Sequence, residues 1–541
     1  MKNEKNNVCS LSALRGIIIF CIIMGSIVIS AVRIGLIIMD SSTSVIDTHT
    51  SKSLILGESR GLVLDKNLER LVAENYYYAY AAKPSITAIT SLKGSVSIDC
   101  YINSVEQLSN GNPIVIASDT PIECKDVLCE RIYRRYNAGQ TAAHIIGYVN
   151  ADNDGVYGVE KSYNELLKSH SGTICARFFT DGIGNVMDGS QIVRVDNNYN
   201  SNGGVVLTID KSMQQSIESI IDCSAIECGA AVLVDAQTGA IRACVSRPGF
   251  DPANVQHYLN DSKSPLFNRA LGSYPVGSVF KSLIAASALE QGVNPKISYN
   301  CTGSISNNSS VFRCTKAHGE VDMSTALAYS CNCYFVNLIN KIEVRKVLET
   351  AENLGFGSCN EIAEELTSYS GNLPEYNELD SFASLANFSF GQGSLTATPL
   401  QIATLYCAIA NDGMYKKPYL VEGFCDENGR FIDNHVVTSS YRAFSSKTAA
   451  KLRSYLELAV SKGTGKNAKV NVCAVAGKTA TAQTGEYDDG KERLVTWFAG
   501  FFEYKDTEYV LVIMSENGVS GANDCAPVFS EFVNSLYFVD K

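Results

Sequence analysis

The sequence predicts an α+β fold carried on a membrane anchor, and three observations predict it. An unbroken apolar stretch lies close to the N-terminus. Five β-rich runs fall into two groups, one starting at Gly229 and the other at Gly477. Helical patterns fill the interval between them, so strands from both ends of one region meet in an antiparallel sheet with helices inserted between.

At 541 residues the chain has room for two to four domains. Hydrophobic residues at 45% and charged residues at 19% exclude both a disordered chain and a polytopic membrane protein. Lys plus Arg number 45 against 56 Asp plus Glu, a net −11, which leaves no basic surplus to follow a phosphate backbone. No nucleic-acid partner is expected.

The anchor comes first. Residues 16–39 contain one charge, Arg33, and 16–32 are apolar or small throughout, close to the shortest length that crosses a bilayer. The apolar run continues past Arg33 instead of ending in a small-residue cleavage site, so an uncleaved anchor is predicted and not a signal peptide. Lys2, Lys5 and Arg15 precede it against a single Glu4. The positive-inside bias therefore keeps residues 1–15 in the cytoplasm and exports the remainder, with Arg33 snorkelling to the outer interface.

Residues 40–205 mix short apolar runs with Asn/Asp/Gly turns and pair no nucleophile with a base. They read as a scaffold. The strands follow from residue 206 on. GAAVLVDA (229–236) and AIRACVS (240–246) flank Gln237-Thr238-Gly239 as a hairpin. GKTATAQT (477–484), LVTWFAGFFE (494–503) and YVLVIMSE (509–516) form the second group, before a terminal helix near 525–538. Between the groups, a helix after Val279 ends at Gly292, and another is capped by Thr398, begins with Pro399 and stops at Gly413.

The 18 cysteines show no CxxC pair and no Cys/His cluster at zinc spacing, and the six histidines show no HExxH pattern. No metal framework is expected. Cys301 and Cys314 bracket a polar loop and are placed within bridging reach, about 7 Å between Cα atoms. The other thiols read as small core residues.

Three short motifs carry chemistry. Ser278 follows a Pro/Gly turn and opens an apolar helix, where backbone N–H groups lack intrahelical partners, and Lys281 lies on the same face. A lysine desolvated among Val279, Phe280, Leu283 and Ile284 has a lowered pKa and can act as a base for the serine. Ser330 and Asn332 offer a hydroxyl and an amide within a helical stretch, and Lys478, Thr479 and Thr481 lie on a strand where a cation and hydroxyls can hold a carboxylate. Each motif alone is commonplace. The run Lys462-Gly463-Thr464-Gly465-Lys466 fails the P-loop pattern and reads as a surface turn.

Together the three resemble the SxxK, SxN and KTG set of penicillin-recognising serine enzymes, with Ala480 in place of the motif glycine. The resemblance extends further. Arg60-Gly61-Leu62-Val63-Leu64-Asp65 is similar to the RGxIxDR motif of class B penicillin-binding proteins, with Lys66 in place of Arg. Arg135-Tyr136, Gly147-Tyr148-Val149 and Gly158-Val159-Glu160 resemble that family's pedestal motifs. Phe390-Gly391-Gln392-Gly393, Thr398-Pro399-Leu400-Gln401 and Trp497-Phe498-Ala499-Gly500-Phe501 resemble segments of its transpeptidase domain.

The resemblance implies a cytoplasmic tail (1–15), a transmembrane anchor (16–39), an extended non-catalytic pedestal (40–205) and a penicillin-binding transpeptidase domain (206–541) with a five-stranded antiparallel sheet flanked by helices. It implies a D,D-transpeptidase that crosslinks peptidoglycan stem peptides through a Ser278 acyl-enzyme and is acylated by β-lactams. Lys281 would be the base, Ser330 and Asn332 would handle protons and the substrate amide, and Lys478 and Thr479 would bind the terminal carboxylate. The backbone N–H groups of Ser278 and Thr481 would form the oxyanion hole. No cofactor is implied. Family logic adds a polytopic glycan polymerase as a membrane partner, because residues 40–205 leave no room for a glycosyltransferase domain. The alternatives are a D,D-carboxypeptidase or β-lactamase-like hydrolase, told apart by fast deacylation, and an inactive β-lactam sensor or cell-wall scaffold.

Overall fold

The computed structural model describes residues 16–33, 51–307, 310–433 and 439–539. Gly16–Arg33 is a helix with a mean hydropathy of 2.3, long and apolar enough to span a membrane. The tail 1–15 and the last part of the expected anchor, 34–39, lie outside the described residues. Chain contacts separate two compact units: residues 1–58, 77–132 and 173–197, and residues 59–76, 133–172 and 198–541.

The smaller unit contains a three-stranded sheet, Tyr76–Ala82 flanked by Ile114–Ser118 and Val127–Tyr133. Tyr80, Ala82, Leu92, Leu108 and Ile116 form its core.

The larger unit is built on five strands: β1 (Gly229–Asp235), β2 (Ile241–Arg247), β3 (Val475–Asp488), β4 (Lys491–Tyr504) and β5 (Thr507–Glu516). They pair antiparallel in the order β2-β1-β5-β4-β3, the sheet expected from the two groups of runs. Gly239, with φ +84°, turns the β1–β2 hairpin, a left-handed conformation that costs glycine little. Strand alternation sends Val510, Val512 and Met514 of β5 into one core and Leu511 and Ile513 into another. Both faces are covered, so β5 reads as a continuous apolar run and not as an alternating one.

One face packs helices α1 (Lys211–Cys223) and α7 (Cys525–Val539), through Ile217, Ile221, Phe529 and Phe532. Against the other lie α2 (Lys281–Glu290), α3 (Met323–Ala328), α4 (Asn332–Ile339), α5 (Pro399–Ala410) and α6 (Ser446–Ser461), sharing one large core with the sheet. The predicted start of α5 is observed in full: the Thr398 hydroxyl accepts the Gln401 N–H at 3.0 Å, the Gln401 side chain accepts the Thr398 N–H at 2.9 Å, and Pro399 occupies the first turn.

Candidate active site

Ser278 stands on a turn that is held by bonds to Gly391 and Trp497. Gly277 has φ +65° and donates its N–H to the Gly391 carbonyl at 2.7 Å. A Cβ on Gly391 would lie 2.0 Å from the Gly277 oxygen, so the approach requires glycine. The Trp497 indole, from β4, donates to the Pro275 carbonyl at 3.0 Å. The chain then makes one 3-10 turn, Gly277–Phe280, and continues into α2. Ser278 is half-buried, and among the described residues its hydroxyl has no hydrogen-bond partner.

Lys281, the first residue of α2, is fully buried. Its ammonium donates to the Ser330 carbonyl at 2.9 Å, the Ser330 hydroxyl at 3.1 Å and the Asn332 Oδ1 at 2.6 Å, which uses all three of its protons. Burial pulls its pKa down to about 7, against a weaker upward pull from the thiols of Cys331, Cys314 and Cys333.

Ser330 departs from the expectation. It lies not within a helix but in the turn between α3 and α4, with φ +58°, a left-handed value that is uncommon for serine. Cys331 is the N-cap of α4 and Asn332 its first residue, and Asn332 also donates to the Arg313 carbonyl at 2.9 Å. The strained turn is held by the two bonds that Ser330 accepts from Lys281.

The third motif lies on β3, the strand expected for it. Lys478 is fully buried and donates to the Thr479 carbonyl at 2.8 Å. Burial, and then the Lys281 charge, hold its pKa well below the usual lysine range. The Thr479 hydroxyl donates to the Thr464 hydroxyl at 2.7 Å, and Thr481 is exposed. Thr464 belongs to the run read from sequence as a surface turn. Lys462 and Lys466 of that run are exposed, but Thr464 is half-buried and its N–H donates to the Ala328 carbonyl at 3.1 Å. Sequence reading missed it because nothing in the run reveals which strand it meets. Ala480 is 3% exposed, with its methyl directed at the nucleophile turn: a Cβ on Gly277 would lie 3.3 Å from it.

Beside Ser330 the chain gathers four metal-ligand side chains that the linear spacing had scattered. The ligand atoms of Cys301, Cys314, His318 and Cys331 all lie within 4.8 Å of one another. Cys301 and Cys314 do approach, but as free thiols with sulfurs 3.8 Å apart, far beyond the ~2.05 Å of a disulfide.

The site thus holds a serine with a free hydroxyl, an amine whose pKa is near neutrality, and a second hydroxyl bonded to that amine. This is the equipment for nucleophilic acyl transfer.

Comparison with known proteins agrees. Residues 229–534 match the family model described as the penicillin binding protein transpeptidase domain. The chain is 26% identical to the stage V sporulation protein D of Bacillus subtilis over 92% of this chain and 81% of that one. It is 28% identical to a peptidoglycan D,D-transpeptidase, FtsI, of Buchnera aphidicola, over 74% and 69% respectively. Among solved structures, penicillin binding protein 3 of Mycobacterium tuberculosis complexed with aztreonam is similar at a TM-score of 0.65 and 22% identity, covering 90% of this chain and 97% of that one.

Proposed function

The chain belongs to the penicillin-binding protein transpeptidase family, and from that premise we propose how the groups described above carry out its reaction. The protein is a class B, serine-type peptidoglycan D,D-transpeptidase, acylated by β-lactams. The observation that carries the mechanism is the fully buried Lys281 amine, three residues after Ser278 in the chain and bonded to Ser330 and Asn332.

Ser278 Oγ attacks the carbonyl between the two terminal D-alanines of a stem peptide, and Lys281 in its neutral form takes the proton. The backbone N–H groups of Ser278 and Thr481 stabilise the oxyanion. The proton passes through Ser330 to the departing D-alanine nitrogen, leaving an acyl-enzyme. An amine from a second stem then attacks the ester, its proton is taken up by the same network, and the crosslink forms as Ser278 is released. Asn332 positions the substrate amide. The Thr479 and Thr481 hydroxyls hold the terminal carboxylate, and the buried Lys478, whose amine donates to the Thr479 carbonyl, fixes the strand beside it. The anchor places residues 1–15 in the cytoplasm and the pedestal (40–205) and transpeptidase domain (206–541) outside, beside a membrane glycan polymerase.

Fluorescent penicillin labelling of the full chain in membranes tests this reading. Wild type should carry one adduct, located to Ser278 by peptide mass, and Ser278→Ala should carry none. An adduct that persists in the variant removes Ser278 from the role. Slow loss of the adduct separates the transpeptidase from a hydrolase, which would shed it rapidly.

A further inference from the structure

We propose that Cys301, Cys314, His318 and Cys331 bind one zinc ion in a closed tetrahedral site that pins the Ser330 turn.

The geometry is the first argument. A tetrahedral ion with Zn–S of about 2.3 Å and Zn–N of about 2.0–2.1 Å needs sulfurs about 3.8 Å apart and sulfur–nitrogen pairs about 3.6 Å apart. The Sγ atoms of Cys301 and Cys314 are 3.8 Å apart, those of Cys314 and Cys331 are also 3.8 Å apart, and Cys301 Sγ lies 3.6 Å from His318 Nδ1. Three thiols and an imidazole are the donors of structural zinc sites, and tetrahedral S/N coordination selects zinc over the harder divalent ions.

Ligand placement is the second argument. The short strand Tyr299–Cys301 pairs with Gly319–Val321, with Cys301 opposite Gly319, so the sheet register brings His318 to the Cys301 sulfur. Cys314 follows the strand Val311–Arg313, and its N–H donates to the Gly303 carbonyl at 2.9 Å. Cys331 caps α4. Three separate backbone elements thus deliver four ligands to one point. Cys301 and Cys331 are at most 1% exposed and Cys314 and His318 are half-buried, so the cluster is partly shielded from solvent. A further support is already in place: the Cys333 N–H donates to Cys314 Sγ at 3.4 Å, the kind of outer bond that fixes a thiolate ligand.

The consequence reaches the site. Cys331 stands between Ser330 and Asn332, the two residues that bind Lys281. With four protein ligands the ion has no open position, so it takes no part in bond breaking. Its effect is to hold a left-handed serine in place, as each thiol gives up its proton to solvent and gains a metal bond.

The test uses the full chain in detergent micelles, prepared under reducing conditions. Metal analysis should find one zinc per chain, and Cys314→Ser and His318→Ala should each lose it, whereas Cys333→Ser should keep it. Cobalt added to chelated protein should give the intense visible bands of a tetrahedral thiolate site, a readout that needs no enzymatic activity. Chelation should slow penicillin acylation at least tenfold, and zinc should restore it. Wild-type protein without metal after exposure to zinc, iron in place of zinc, or metal retained in both ligand variants would overturn the assignment. Acylation unchanged by chelation would overturn the pinning role.

Discussion

At the scale of single residues the site turns on two buried amines. With its pKa lowered to about 7, Lys281 is a base only above that pH. The groups facing it are the Lys478 amine and the thiols of Cys331, Cys314 and Cys333. Below the pKa the lysine is protonated and cannot accept the Ser278 proton, so acylation should fall about tenfold per pH unit below pH 6 and level off above pH 8. Stopped-flow labelling across that range checks it, and a rate flat from pH 5 to 8 would remove Lys281 as the base. Lys281→Ala should cost roughly 10²–10⁴-fold in acylation. Lys478→Ala leaves the Ser278–Lys281 pair in place, so it should mainly weaken carboxylate recognition and lower acylation by less than Lys281→Ala does. Equal and mild effects from both variants would contradict the division of roles. Ser278 and Lys281 could be paired from the sequence because they stand three residues apart where one turn runs into a helix. The depth of Lys478 was not legible, since it depends on what packs against β3, and neither was the partnership of Thr464 with Thr479.

At the scale of elements, the five strands and the start of α5 could be read directly, because alternation, hairpin glycine and capping residues are all local signals. The Ser330 turn could not. Its left-handed backbone is set by bonds to Lys281, 49 residues away in sequence, and local propensity says nothing about it. The same holds for the nucleophile turn, whose form depends on the contact between Gly277 and Gly391. Ala480 shares one face of β3 with the buried Lys478, while Thr479, also buried, shares the other face with the exposed Thr481. Ala480→Gly should therefore change the acylation rate less than about tenfold, or 1.4 kcal/mol of barrier. A wild type that cannot be acylated, rescued only by glycine, would show that the methyl closes the site. Gly391→Ala is the contrasting case. Its methyl must displace the Gly277 carbonyl, so acylation should drop well beyond tenfold while the chain remains folded by circular dichroism. A normal rate in Gly391→Ala would mean that the turn has more freedom than its packing indicates.

At the scale of the whole molecule, the entry and pedestal motifs share one physical cause. Glu160 is completely buried, and Arg60 donates to it at 2.8 Å, Arg135 at 2.7 Å and Tyr136 at 2.9 Å. Arg60 also reaches the Asn153 carbonyl at 2.8 Å and Asn164 Oδ1 at 2.9 Å, while Arg135 donates to the Gly61 carbonyl at 2.6 Å. Three segments distant in sequence are thereby joined within the larger unit around one carboxylate. The motifs were recognisable as strings, but their convergence was not, because sequence spacing carries no information about a contact spanning 100 residues. A buried charge with several donors gives a sharp expectation: Glu160→Gln leaves two guanidinium groups without their counter-charge and should cost about 3–5 kcal/mol. The exposed pair Lys161–Glu365, at 3.6 Å with side chains 56% and 66% exposed, is the internal control. There solvent screening leaves little to lose, and Glu365→Gln should cost less than about 1 kcal/mol. Thermal unfolding of the two variants beside wild type, at constant detergent and penicillin-free, measures the contrast. Glu160→Gln should unfold several degrees lower and lose protease resistance, and Glu365→Gln should match wild type. Indistinguishable midpoints for all three proteins would mean that the carboxylate does not hold these segments together.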